Sequence, residues 1–147
     1  MRYFEDIEAG DVHDLGSYEV TEEEVLEFAE RYDPQPFHVD AAQAEQSMFG
    51  GLIASGWHTA SICMRLLVDG YLSDAASAGA RGVDDLRWIA PVRPGDTIRA
   101  ELEVLETEPA NARTGNVRSK LTGFVDGDPV IRWESDGIFE RRSAQTD

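Results

Sequence analysis

With 147 residues, 41% of them hydrophobic and 29% charged, the chain is long enough to bury a core in one domain without metals or disulfides. Its 29 acidic against 13 basic residues give a formal net charge of -16, which excludes non-specific binding to nucleic acid or to an anionic membrane surface. The N-terminal MRYFEDIEAGD is acidic where a signal peptide is basic, and no stretch nears the roughly 18 apolar residues of a membrane span, so the expected location is the cytoplasm.

In chain order, residues 12 to 20 carry the weakest strand pattern. Thr21 and Glu24 then form a capping box, and Val25, Phe28, Ala29 and Tyr32 follow at helical spacing, which predicts an amphipathic helix over 22–32. Pro34 disfavours the helical region for Asp33, so the helix stops there and Asp33 opens a stiff loop, DPQPFH. A short helical turn is expected over 40–47, ahead of Gly50 and Gly51. The segment from Ser55 to Tyr71 reads as a longer helix with Ser55 as N-cap. Its apolar stripe is Trp57, Ala60, Met64, Leu67 and Tyr71, and Cys63 and Leu66 widen it, the mark of a helix buried against a sheet. Cys63, the lone cysteine, sits among apolar neighbours as a structural thiol, and His58 is expected on the helix surface.

From residue 82 the period changes to two. Ile98, Ala100, Leu102 and Val104 alternate with polar residues, 117–125 repeats the pattern less cleanly, and 82–89 and 131–139 supply two more strands. Turn signals lie at Pro94-Gly95-Asp96 and Asp126-Gly127-Asp128-Pro129, with a loop expected over 107–114. Five strands and one long helix predict an α+β domain, a curved antiparallel sheet wrapped on the helix. One domain is expected over 1–147, with its last few residues disordered.

Two stretches carry chemistry. In YDPQPFHVD the prolines restrict the backbone, so Asp33, Gln35 and His38 lose little entropy when fixed, as acid-base work requires. By its spacing alone the same stretch reads rather as a stiff surface turn, with Asp33 capping, Gln35 solvated and His38 bonded locally. In FGGLIASGWHT, Ser55 as N-cap leaves the Gly56 amide unpaired at the positive end of a helix, where it can face an oxyanion, although a glycine there also suits close helix–sheet packing. No His, Cys or carboxylate cluster has metal-ligand spacing.

Taken together, FEDIEAGD, the capped helix TEEEVLEFAERYD, DPQPFHVD, FGGLIASGWHTA and APVRPGDTI resemble, in order and spacing, the MaoC-like dehydratase family of R-specific enoyl-CoA hydratases. The resemblance implies the hot-dog fold, a homodimer or higher oligomer with joined sheets, and reversible hydration of a trans-2-enoyl-CoA with no cofactor, coenzyme A being part of the substrate. The family's motif, Asp-x-Asn-Pro-x-His, is matched by Asp33, Pro36 and His38, which inherits the catalytic pair for Asp33 and His38 and the thioester-oxygen amide for Gly56. Gln35 replaces the family's Asn, and Ser55-Gly56-Trp57 replaces a His-Gly-apolar run; Gln35, Ser55 and Trp57 are carried as substrate-binding residues, Trp57 either narrowing the acyl pocket or packing in the core.

The acidic chain must still hold an anionic coenzyme A, for which Arg87, Arg93 and Arg118 are the candidates. The distributed acids fit a surface adapted to very high salt, which screens long-range repulsion, or an ordinary acidic protein rich in Arg. The competing functions are a hot-dog thioesterase, disfavoured because residues 56 to 68 hold no Asp or Glu, and a non-catalytic acyl-thioester-binding module.

Overall fold

The computed structural model describes residues 1–142, so the expectation for the last few residues lies outside the described part. The strands are β1 (Val12–Glu19), β2 (Ser77–Trp88), β3 (Thr97–Pro109), β4 (Thr114–Val125) and β5 (Asp128–Glu140). The helices are α1 (Glu22–Tyr32), α2 (Pro36–Val39), α3 (Ala41–Glu45) and α4 (Gly56–Gly70). The five strands form one antiparallel sheet in the order β1-β3-β4-β5-β2. One face of that sheet packs on α4, which is the α+β arrangement expected.

The alternation in β3 and β4 places the core. Ile98, Ala100, Leu102 and Val104 face inward with Val117, Leu121 and Ile131, and α4 sets Ile62, Cys63 and Leu66 against them. Burying each Leu or Ile side chain contributes about 1.5 to 3 kcal/mol. A methyl group at Gly123 would lie 2.8 Å from Ile131 Cγ2 and 3.0 Å from Cys63 Sγ, so this glycine lets the helix approach the sheet.

Several boundaries moved. β2 begins at Ser77 rather than 82, in a Gly- and Ala-rich run whose composition carries no alternation; pairing with β5 makes it a strand. β3 and β4 extend into the expected loop through the pairs Glu108 with Asn116 and Pro109 with Gly115. The residual turn is closed by Asn111 Oδ1, which accepts from the amides of Arg113 and Thr114.

The buried face of α4 is rotated from the expected stripe. His58, Thr59, Ile62, Cys63, Leu66 and Leu67 are buried, while Trp57 and Met64 are 57% and 44% exposed. An apolar residue lies on nearly every side of this helix, so periodicity alone did not single out the face that meets the sheet. His58 is likewise not on the surface: its ring stacks on Phe28 of α1 at 4.9 Å, and it is buried. Burial, opposed only in part by Glu24, lowers its pKa. Tyr32, expected on the apolar stripe of α1, is 67% exposed.

Candidate active site

The site is built where three irregular segments meet the start of α4. α1 is capped by Thr21, whose hydroxyl accepts from the Glu24 amide, and ends at Asp33, the residue ahead of Pro34. The loop then turns straight into a helix: Pro36 sits at the first position of α2, where its missing N–H costs nothing, and α2 carries His38. The expected stiff loop is therefore half turn and half helical turn. Backbone bonds from Ile53 N to Phe37 O and from Ala54 N to Val92 O stitch α2, the segment ahead of α4 and the segment after β2 together.

His38 is buried, and its Nδ1 lies 2.8 Å from the Ile53 carbonyl. A carbonyl oxygen only accepts, so Nδ1 carries the hydrogen and neutral His38 presents an unprotonated Nε2. That Nε2 is 3.4 Å from Asp33 Oδ2. Two acceptors at this separation converge on one small donor, and a water molecule has the two hydrogens to satisfy both. Asp33 is held by Ser55 Oγ donating to Oδ2 at 2.7 Å and by Gln35 Nε2 donating to Oδ1 at 2.6 Å. Burial pushes the Asp33 carboxyl up, but the hydrogen bonds from Ser55 and Gln35, and the positive charge of His38 when its ring is protonated, outweigh it, and its pKa falls below the ordinary carboxylate value.

Gly56 is the first residue of α4, behind the N-cap Ser55. Among the described residues its amide makes no hydrogen bond, so a donor at the positive helix end remains free. The Trp88 indole covers the Cα of Gly56: an added Cβ would lie 2.5 Å from both Cε2 and Nε1. Trp57 meets Trp88 edge-on, ring centroids 5.1 Å apart.

Asp33, Gln35, His38, Gly56 and Trp57 thus share one cleft of about 480 Å³, completed by Phe37, Phe49, Thr59, Trp88 and the run from Ile89 to Val92. Among the described residues its walls carry no Arg or Lys. A second cavity of about 240 Å³, between α4 and the far end of the sheet, is lined mainly by apolar residues such as Met64, Leu67 and Phe139, and holds no acid-base pair.

Other expected residues, Trp57 apart, fall elsewhere. Ser55 is fully buried, its hydroxyl committed to Asp33 and accepting from Trp57 N, so it is not placed to touch a substrate. Trp57 lies in the cleft wall and not in the core. Arg87 is exposed and pairs with Asp85, and Arg93 is spent on the Phe49 carbonyl. Arg118 binds Asp84, Glu134 and Asp136 on the side of the sheet away from α4, an ion-pair network across three strands. None of the three lines the cleft. Sequence reasoning missed Trp88 and the Ile53 carbonyl. Trp88 was within reach, because in a strand it points opposite to Arg87, and it pairs with the buried Ile131. A backbone carbonyl that fixes a tautomer leaves no trace in side-chain identity.

Residues 8–123 match the sequence profile of the MaoC-like domain. The chain belongs to the MaoC-like dehydratase family. It is 33% identical over 135 residues to the 3-hydroxybutyryl-CoA dehydratase of Methylorubrum extorquens, covering 88% of this chain and 83% of that one. Among solved structures, a MaoC-like dehydratase from Rhodospirillum rubrum superposes with a TM-score of 0.88 at 38% identity, covering 97% of this chain and 99% of that one. The unliganded R-hydratase from Pseudomonas aeruginosa gives a TM-score of 0.75 at 26% identity, over 95% and 85% of the two chains. This MaoC-like chain accordingly has the hot-dog fold.

Proposed function

We propose that this protein adds water reversibly to a trans-2-enoyl thioester of coenzyme A, giving the (R)-3-hydroxyacyl thioester. The observation that carries the reading is the convergence of Asp33 Oδ2 and His38 Nε2 at 3.4 Å in the cleft that also presents the unpaired Gly56 amide. Water held by both acceptors loses a proton as its oxygen bonds to C3 of the enoyl group. The electron pair of the double bond moves onto the thioester oxygen, where the Gly56 amide stabilises it; losing one such donor costs about 2.7 to 4 kcal/mol. The proton taken from water is then delivered to C2 through the same pair, and both catalytic groups return to their starting states.

The reaction requires no cofactor. Apart from the Asp33 and His38 pair, the largely apolar walls suit the acyl part of the substrate, and the lack of Arg or Lys among the described wall residues supports a position of the coenzyme's phosphates outside the cleft. β2 forms the edge of the sheet and pairs only with β5 among the described strands. The exposed Val83 on it and the exposed Met64 of α4 line one largely apolar surface cavity. Edge and surface together support a homodimer in which two β2 strands pair. Among the described residues no helix is long and apolar enough to cross a membrane, and the proposed setting is the cytoplasm.

The test is to incubate the purified protein with crotonyl-CoA, in low and in molar salt, and to follow loss of the enoyl-thioester absorbance together with release of free thiol. Hydration without thiol release is the expected result. Thiol release would make the protein a thioesterase, and neither change, across several acyl lengths, would make it a binding module. Against hydrolysis stands the position of Asp69, the sole carboxylate of α4, which is exposed and paired with Arg65 rather than turned to the cleft.

A further inference from the structure

Ser55 was expected at a helix start and as a contact to substrate, yet it is a fully buried hydroxyl joining two segments far apart in sequence. Its Oγ donates to Asp33 Oδ2 at 2.7 Å and accepts from Trp57 N at 3.3 Å. A hydroxyl has one hydrogen, so that donor is committed to the carboxylate. Gln35 commits a second donor to Oδ1 at 2.6 Å. Each carboxylate oxygen therefore has one protein donor, and the lone pair left on Oδ2 is the one within 3.4 Å of His38 Nε2. The same hydroxyl caps α4, whose first residue is Gly56.

We propose that Ser55 is a positioning residue of the hydration site: its buried hydroxyl fixes the Asp33 carboxylate against the cap of α4, holding the acid-base pair in register with the Gly56 amide. This rests on the hydration reading. The bond fixes which oxygen faces His38 and ties its position to the helix start, two features that a loop carboxylate alone leaves free to rotate. The prolines restrict the Asp33 backbone, and Ser55 and Gln35 restrict its side chain. A residue without a donor at 55 leaves a half-buried carboxylate oxygen with one partner fewer, which favours its protonated form. Of the groups facing Asp33, His38 on α2 is the titratable one that acts on it. The α4 and β2 sides of the cleft present Gly56, Trp57, Thr59 and Trp88, and the following segment presents Ala90 to Val92, all uncharged.

The experiment compares wild type with Ser55→Ala and Ser55→Cys, measuring kcat, KM and the pH profile of crotonyl-CoA hydration, melting temperature, and Asp33 titration by carboxyl carbon NMR. Ser55→Ala is expected to lower kcat about ten- to a hundredfold, the scale of lost outer-shell hydrogen bonds, with KM little changed. The acid limb of the profile and the Asp33 titration both move to higher pH. In an Asp33→Asn background the same change adds little further loss, because both act through one carboxylate. Ser55→Cys keeps the side-chain shape with a weaker donor and gives the same shifts at smaller size, and it decides the matter if Ser55→Ala does not fold. A lower melting temperature with kcat, acid limb and Asp33 titration unmoved reduces Ser55 to a helix cap and overturns the proposal. If wild type hydrates no enoyl thioester, the hydration reading fails by itself. The NMR titration then still judges the Ser55 bond: an upward shift in Ser55→Ala supports it and an unmoved value overturns it.

Discussion

Replacing Gly56 by Ala tests the packing and the chemistry of the helix start together. Gly56 has helical backbone, and on an open helical turn Ala is favoured over Gly by about 0.5 to 1 kcal/mol. Here the added Cβ would lie 2.5 Å from Trp88 Cε2 and Nε1 and 2.9 Å from Cδ1. These atoms belong to a rigid ring, and crowding of this kind costs about 1 to 3 kcal/mol. Setting about 2 against about 1 leaves a net loss of about 1 kcal/mol, or about 2 to 4 °C in melting temperature for a chain near this size. In a Trp88→Ala background the obstacle is gone, and Gly56→Ala should stabilise by up to about 1 kcal/mol. The sign thus reverses between backgrounds, with a coupling of about 2 kcal/mol in a double-mutant cycle read by calorimetry. Hydration of crotonyl-CoA by the single variant should fall about a hundredfold or more, because the displaced amide no longer meets the thioester oxygen. Equal stability changes in both backgrounds would refute the packing account, and an undiminished kcat/KM in Gly56→Ala would remove this amide from the mechanism.

Four further outcomes are expected. Asp33→Asn and His38→Ala should each slow hydration by at least about a hundredfold, the scale of acid-base contributions, and steady-state rates near wild type in either would discard that residue. His58 is buried with its pKa below the ordinary 6.5, so the unfolded chain binds its proton first: stability is fully present above 6.5 and declines as pH falls from there towards the folded value. Melting curves of His58→Gln should lose that decline, and an unchanged pH dependence would contradict it; the depressed Asp33 contribution lies lower, lost only as pH falls below 3.8 towards its folded value. Burial raises the Cys63 thiol to about 12, so a thiol reagent at neutral pH should label the protein only after denaturant is added, and immediate labelling of the native chain would count against the packed α4 interface. Sedimentation should find a homodimer that Val83→Glu, on the exposed part of β2, converts to monomer, whereas dimers indifferent to that charge would place the interface elsewhere.

Much of this molecule was legible from local patterns. The capping box at Thr21 and Glu24 started α1 where expected, Pro34 stopped it at Asp33, and strict alternation in 97–104 named the residues that β3 buries. These features depend on backbone sterics and on the period of one element, which a sequence states directly. The errors share a cause. β2 starts five residues early because its Gly- and Ala-rich beginning becomes a strand through the ladder to β5. α4 turns a different face inward because it is apolar almost all round, and the positions of Ile98, Gly123 and Ile131 select the face.

The site divides the same way. The order Asp33, Gln35, His38, Gly56 belongs to the sequence, as does the stiffness that Pro34 and Pro36 lend the turn. Tertiary structure decided which atoms meet: that Ile53 O holds His38 Nδ1, that Ser55 and Gln35 each take one oxygen of Asp33, and that Trp88 closes over Gly56. It also withdrew Arg87, Arg93 and Arg118 from the cleft by giving each another partner. A local pattern fixes the backbone of a few neighbouring residues, whereas a hydrogen bond between residues 22 positions apart exists only once the whole sheet has placed both ends.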